Sequence, residues 1–234
     1  MAWRNSRLRQ SSPVGLLDFD GAVFTFRYLS KASTIEDFRP FIGFPNLDER
    51  YQAKLLWPFF ALRVMDERRP DFPQYLQRLG LPSGASQLDI LSRNSGERKG
   101  DKVQLVEEPQ VGADGRTEAV FLVRGTRYAT EEYASRSAVQ DLQAGDRLEL
   151  RPEASNQTNS AALLITTAAG SPIGWVPDPL IGYMQTVFAR EGHIALERNN
   201  GPDAPWHLRL LARVSGQVSP GYRPFTETSG YLKT

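Results

Sequence analysis

From about residue 112 onward, turn-forming clusters recur at short intervals and leave room mainly for short strands between them. Gly112-Ala-Asp-Gly115, Ala144-Gly-Asp146, Ala168-Ala-Gly-Ser171 and Asn199-Asn-Gly-Pro-Asp203 are stretches that a helix would not keep. Between them lie Ala119-Val-Phe-Leu-Val-Arg124, which is apolar, and Arg147-Leu-Glu-Leu-Arg151, which alternates strictly. Residues 161–167 and 172–176 flank the third turn, and residues 193–197 and 206–214 flank the fourth. Consecutive short strands of this kind predict a small barrel or sandwich. One helix is expected near 179–190, where Leu180, Tyr183, Met184 and Val187 recur at helical spacing. From Ser215 on, Gly, Pro, Ser and Thr dominate and predict an irregular tail.

The pattern before Glu107-Glu108-Pro109 is different, which predicts two domains, 14–108 and 116–215, with a tail over 216–234. Ala22–Leu29 reads as a strand with Phe24, Phe26 and Tyr28 on a buried face. A helix is expected over Asp48–Arg68 from the spacing of Tyr51, Leu55, Phe59 and Leu62, with Pro58 either kinking it or starting a new helix. Asp71-Phe-Pro73 and Ser86 predict the starts of two further short helices, and Lys102–Val106 reads as a strand. The fold class expected is α+β: a mixed α/β lobe followed by a small OB-like or SH3-like β-barrel.

Charge excludes a global electrostatic pull toward nucleic acid or anionic lipid, since 28 Lys and Arg face 27 Asp and Glu. Any such binding must come from a local cluster. The first 110 residues hold 16 basic against 14 acidic side chains and the rest 12 against 13, so neither half is strongly basic. With 0 Cys there is no disulfide, thiolate metal site or thiol nucleophile. No apolar run is long enough to span a bilayer. The basic start leads into Ser-Ser-Pro and not into an apolar segment, so a cytoplasmic protein without membrane contact is expected.

The common nucleotide, zinc and hydrolase signatures are absent, and neither a catalytic group nor a cofactor is expected. His193 and His207 are the only imidazoles and are expected as polar tips on strand ends. Glu107-Glu108 and Glu131-Glu132 are adjacent in sequence, so within regular structure they point different ways and suit a solvated face. Two clusters can bind anions. Arg93, Arg98, Lys99 and Lys102 surround Gly96 and Gly100, giving either a phosphate-binding loop or a solvated turn. Arg124-Gly-Thr-Arg-Tyr128 presents guanidinium groups beside an aromatic ring, the pair that neutralises a phosphate and stacks a base.

The second half resembles the HIRAN domain, a modified OB-like β-barrel found in bacterial proteins and fused to eukaryotic repair helicases. The matching stretches are Val123-Arg-Gly-Thr-Arg-Tyr128, Gly145-Asp-Arg-Leu-Glu-Leu-Arg-Pro-Glu153, Asn156, Ala162-Leu-Leu-Ile165 and Gly170-Ser-Pro-Ile-Gly-Trp-Val-Pro177 followed by Leu180. The resemblance covers residues 118 to 215 and implies DNA binding, with Arg124, Arg127, Tyr128, Asn156, Asn159 and Trp175 as contacts. In the best understood members a pocket for a single-stranded 3′ end uses an Arg-Tyr pair, an Asn and a Tyr-Asp dipeptide. Here that dipeptide falls on Thr158-Asn159, which supplies neither ring nor carboxylate. A further basic and imidazole contact falls on Trp175 and Pro177, where the indole can stack or face the core.

Residues 16 to 106 resemble the N-terminal lobe of HipA-type toxin kinases. The marks are Phe24-Thr-Phe-Arg-Tyr28, Arg39-Pro-Phe-Ile-Gly-Phe-Pro45, Phe59-Phe60 with Arg63, Tyr75-Leu76 and Leu79, Leu88-Asp-Ile-Leu91 and Gly100-Asp-Lys-Val-Gln-Leu-Val106. That resemblance implies protein contacts, with a HipA-type kinase or a helicase as partner. The kinase core itself has no counterpart in the chain. Together the two resemblances imply a non-enzymatic adaptor in bacterial (phage) defence, repair or toxin control, binding DNA as single strands or ends. The alternative is an antitoxin-like protein that binds a kinase and no nucleic acid.

Overall fold

The structure, a computed structural model, describes residues 1–5, 11–98 and 102–225. Its first half opens with the short strands β1 (Ala2–Arg4), β2 (Ser11–Pro13), β3 (Gly15–Phe19), β4 (Phe24–Tyr28) and β5 (Arg50–Ala53). β4 is the centre of an antiparallel sheet, β3-β4-β5. Alternation along β4 puts Phe24, Phe26 and Tyr28 into one aromatic core with Phe44 and Phe60, as expected. Phe26 meets Phe44 edge-on at 4.6 Å, and the Tyr28 hydroxyl donates to the Phe44 carbonyl at 2.9 Å. The loop between β4 and β5 is thereby pinned by ring packing and a buried hydrogen bond.

The helix expected over Asp48–Arg68 is replaced by β5 and one helical turn, α1 (Pro58–Ala61). Leu55 and Leu62, half of the supposed apolar stripe, face solvent at 81% and 67% exposure. Pro58 holds Trp57 in extended backbone, so a helix can start there but cannot pass through. Next come α2 (Phe72–Arg78) and α3 (Gln87–Arg93). Asp71 pairs with Arg69 instead of capping α2. Ser86 caps α3 in a reciprocal box: its hydroxyl accepts the Asp89 N–H at 3.2 Å and its own N–H donates to the Asp89 carboxylate at 2.8 Å. β6 (Val103–Gln104) then pairs with β1 to give a second sheet, β2-β1-β6.

The second half runs β7 (Gln110–Val111), β8 (Arg116–Leu122), α4 (Thr126–Glu132), α5 (Arg136–Asp141), β9 (Arg147–Pro152), β10 (Leu163–Thr167), β11 (Pro172–Trp175), α6 (Ile181–Phe188), β12 (His193–Asn199) and β13 (Leu210–Gln217). Its strands form one antiparallel sheet in the order β11-β10-β9-β12-β13-β8-β7. α6 buries Tyr183, Met184 and Val187 as the spacing predicts. The expected closed barrel is not found. Among the described residues one isolated antiparallel bridge, Arg124 to Trp175, links β11 to the chain leaving β8. The reason is local, because the chain turns at Gly125 into α4 and leaves no further strand to pair. β13 also continues to Gln217, into the tail expected to be irregular, because Gly216 and Gln217 pair with Thr117 and Arg116.

A third core joins the halves. Phe72, Leu76, Leu79 and Ile90 of the first half pack against Leu122, Leu208 and Leu211 of the second. Neighbours Phe121, Leu210 and Ala212 point the other way, into the core enclosed by the seven-stranded sheet. β8 and β13 are thus covered on both faces, which is why residues 119–123 are continuously apolar and do not alternate. Leu211→Ala should cost about 2–5 kcal/mol, the usual range for truncating a fully buried leucine. A urea titration would show this as a lower midpoint, and an unchanged midpoint would mean that the contact between halves carries no stability.

Candidate nucleic-acid interface

The Arg124–Trp175 bridge consists of two backbone hydrogen bonds, Arg124 N–H to the Trp175 carbonyl at 2.9 Å and Trp175 N–H to the Arg124 carbonyl at 2.8 Å. Two glycines permit so close an approach. A Cβ on Gly174 (φ 145°) would lie 2.5 Å from the Arg124 carbonyl oxygen, and one on Gly125 (φ 63°) would lie 2.7 Å from the Trp175 ring. The benzo edge of the indole therefore packs against Gly125.

The indole N–H donates to Glu153 Oε2 at 2.7 Å. The Asn156 amide donates to the same oxygen, and the Tyr133 hydroxyl donates to Oε1 at 2.9 Å. Burial alone would raise the Glu153 pKa, but the donors from Asn156, Trp175 and Tyr133 together bring it below the ordinary carboxylate value. Tyr133 is pushed up to about 12, first by its hydrogen bond to Glu153. Asn156 Oδ1 meanwhile accepts the backbone N–H groups of Thr158 and Asn159 at 2.9 and 3.0 Å, folding residues 156–159 into a tight turn. Asn159 donates to Asp178 Oδ1 at 3.1 Å, and Ser11 of β2 donates to Asp178 Oδ2 at the same distance.

Trp175, Glu153, Tyr133, Asn156, Thr158, Asn159 and Asp178 line a groove of about 600 Å³ together with Arg4, Glu97, Gln104, Arg124, Tyr128 and Glu132. Tyr128 stands at 69% exposure. The cations are Arg4 and Arg124, and the acids are Glu97, Glu132, Glu153 and Asp178. Arg124 is ion-paired with Glu97. The groove thus offers aromatic surface and hydrogen-bond acceptors, with few free positive charges.

Of the residues expected as contacts, Arg124, Tyr128, Asn156, Asn159 and Trp175 all line this groove. Arg127 lies outside its lining: it sits in the first turn of α4, where its Nε donates to Glu131 at 3.0 Å. Of the residues expected to form a phosphate loop or solvated turn, Arg93 and Lys102 have separate surroundings. Arg93 donates to the Leu79 carbonyl and Glu107 and lines a separate cavity between the halves, whereas the Lys102 ammonium sits 5.6 Å from the Trp3 ring. Arg98 is exposed and Lys99 lies outside the described residues. No cluster of His, Asp and Glu able to hold a metal occurs among the described residues.

The family model described as HIRAN domain matches residues 117–219. This segment is therefore similar to a HIRAN domain. Among solved structures, the HIRAN domain of human HLTF is similar at a TM-score of 0.33 and 13% identity, over 45% of this chain and 78% of that one. A protein from Lactobacillus plantarum is similar at a TM-score of 0.31 and 18% identity, over 44% of this chain and 100% of that one. No curated protein matches the chain.

Among the groove residues of this segment that the sequence did not mark as contacts are Tyr133, Glu153 and Asp178. Glu153 had a usable signal, an acid three residues before an Asn at the end of a strand; Tyr133 and Asp178 had none, being placed by α4 and by the turn after β11. Glu153→Ala should remove three charge-assisted contacts and lower stability by about 1–3 kcal/mol. Because the folded pKa of Glu153 is depressed, this contribution is present above the unfolded pKa and is lost as pH falls through the folded one. In the same variant the Tyr133 phenol should titrate closer to its ordinary value of 10 than to about 12, read from phenolate absorbance. An unmoved titration would break the link between the two groups.

Proposed function

We propose that this chain is a non-enzymatic binding protein whose HIRAN domain seats the free-hydroxyl end of a single-stranded nucleic acid in the groove. The observation that carries the reading is the exposed Tyr128 ring standing beside a set of oriented acceptors, Glu153 and Asp178, within one groove. An aromatic face takes a base regardless of its identity. Carboxylate oxygens take a sugar hydroxyl and repel a terminal phosphate. Thr158-Asn159 lacks a ring and a carboxylate, and Tyr133 and Asp178 supply both groups from other elements, with Asn159 itself bonded to Asp178. DNA is the polymer that the family resemblance favours, in a defence, repair or toxin-control setting.

The first half suits a second role, contact with a protein such as a kinase or helicase. What favours it is the exposure of large aliphatic side chains there, with Ile42 at 93% and Leu55 at 81%. Fluorescence anisotropy with labelled oligonucleotides tests the groove. Tyr128→Ala should weaken binding by about 1–3 kcal/mol, the size of one lost base stack. A terminal phosphate on the strand should weaken it further, and a circular strand should bind worst. Equal binding of linear and circular strands would overturn end recognition.

A further inference from the structure

The HIRAN segment does not build the groove alone. Arg4 of β1, Gln104 of β6 and Glu97 come from the first half, and all three line it. The β2-β1-β6 sheet is held there by Ser11, which donates to Asp178, and by Glu97, which accepts from Gln104 Nε2 at 2.6 Å while pairing with Arg124. Arg4 and Arg124 are the two cations of the groove, and they stand differently. Arg124 is neutralised by Glu97, whereas Arg4 makes no ion pair among the described residues. An oligonucleotide with its terminal nucleoside among Tyr128, Trp175 and Glu153 must carry its next phosphate past these guanidinium groups, since every other ionised group in the lining is an acid.

We propose that the first half completes the nucleic-acid site: Arg4 takes the phosphate that follows the seated nucleoside, and Glu97 occupies the phosphate position on Arg124 until a strand displaces it. This rests on the reading of the groove as a nucleic-acid site. A carboxylate and a phosphate present the same planar or near-planar pair of oxygens to a guanidinium fork, so one can stand in for the other. Binding then exchanges an internal ion pair for an intermolecular one. Arg124 contributes little net affinity in the native protein, and Arg4 supplies the uncompensated attraction.

Oligonucleotide titrations at several salt concentrations separate the parts. Arg4→Gln should weaken binding about fivefold, the worth of one exposed ion pair, and reduce the slope of log affinity on log salt by about 0.7. Glu97→Gln should tighten binding about threefold or more by freeing Arg124, and this gain should vanish when combined with Arg124→Gln. Thermal unfolding at the wild-type midpoint verifies that the variants are folded. If the wild-type protein binds no oligonucleotide, the groove reading itself fails. If wild type binds and the Arg4 and Glu97 variants match it, or Glu97→Gln weakens binding, the composite site fails while the HIRAN site stands.

Discussion

The two hydrogen bonds between Arg124 and Trp175 join β11, at one end of the second-half sheet, to the chain leaving β8. Without them β11 would end as a free edge. With them, Trp175 packs against Gly125, its indole N–H reaches Glu153, and Glu153 in turn holds Asn156 and Tyr133. The approach is so close that neither Gly125 nor Gly174 has space for a side chain. A pair of backbone bonds thus fixes the wall of the groove, and a single carboxylate gathers the side chains that line it.

The groove's electrostatics follow from that arrangement. Four acids and two arginines line it, and one arginine is already paired, so its depth suits hydroxyl and amide groups better than phosphate. Positive charge is confined to Arg4 and Arg124. A net charge of +1 for the whole chain adds no long-range pull, so the proposed recognition would depend on stacking and on acceptor placement. The first half is joined to this site by the leucine-rich contact of α2 and α3 with β8 and β13, and by the polar bridge from Ser11 to Asp178.

Much of this fold was legible in the sequence, and the exceptions have physical causes. Turn clusters marked the strands of the second half, and the α6 stripe was read correctly, because each signal is local. The supposed helix at Asp48–Arg68 failed because periodicity cannot tell a buried leucine from an exposed one, and Leu55 and Leu62 are exposed. The closed barrel failed because one glycine, Gly125, diverts the chain into α4. In the proposed site, Arg124, Tyr128, Asn156, Asn159 and Trp175, which the resemblance names, line one groove. Tyr133, Asp178, Arg4 and Glu97 were not legible in the sequence, since only the three-dimensional meeting of separate elements brings them into that groove.

The chain contains 4 tryptophans, Trp3, Trp57, Trp175 and Trp206, which makes one spectrum decisive. In an isotope-labelled sample titrated with a short single strand bearing free hydroxyl ends, the indole N–H resonance of Trp175 should shift while the other three stay in place. Movement of Trp3, Trp57 or Trp206 with Trp175 unperturbed would place any nucleic acid elsewhere and contradict the groove as the binding site.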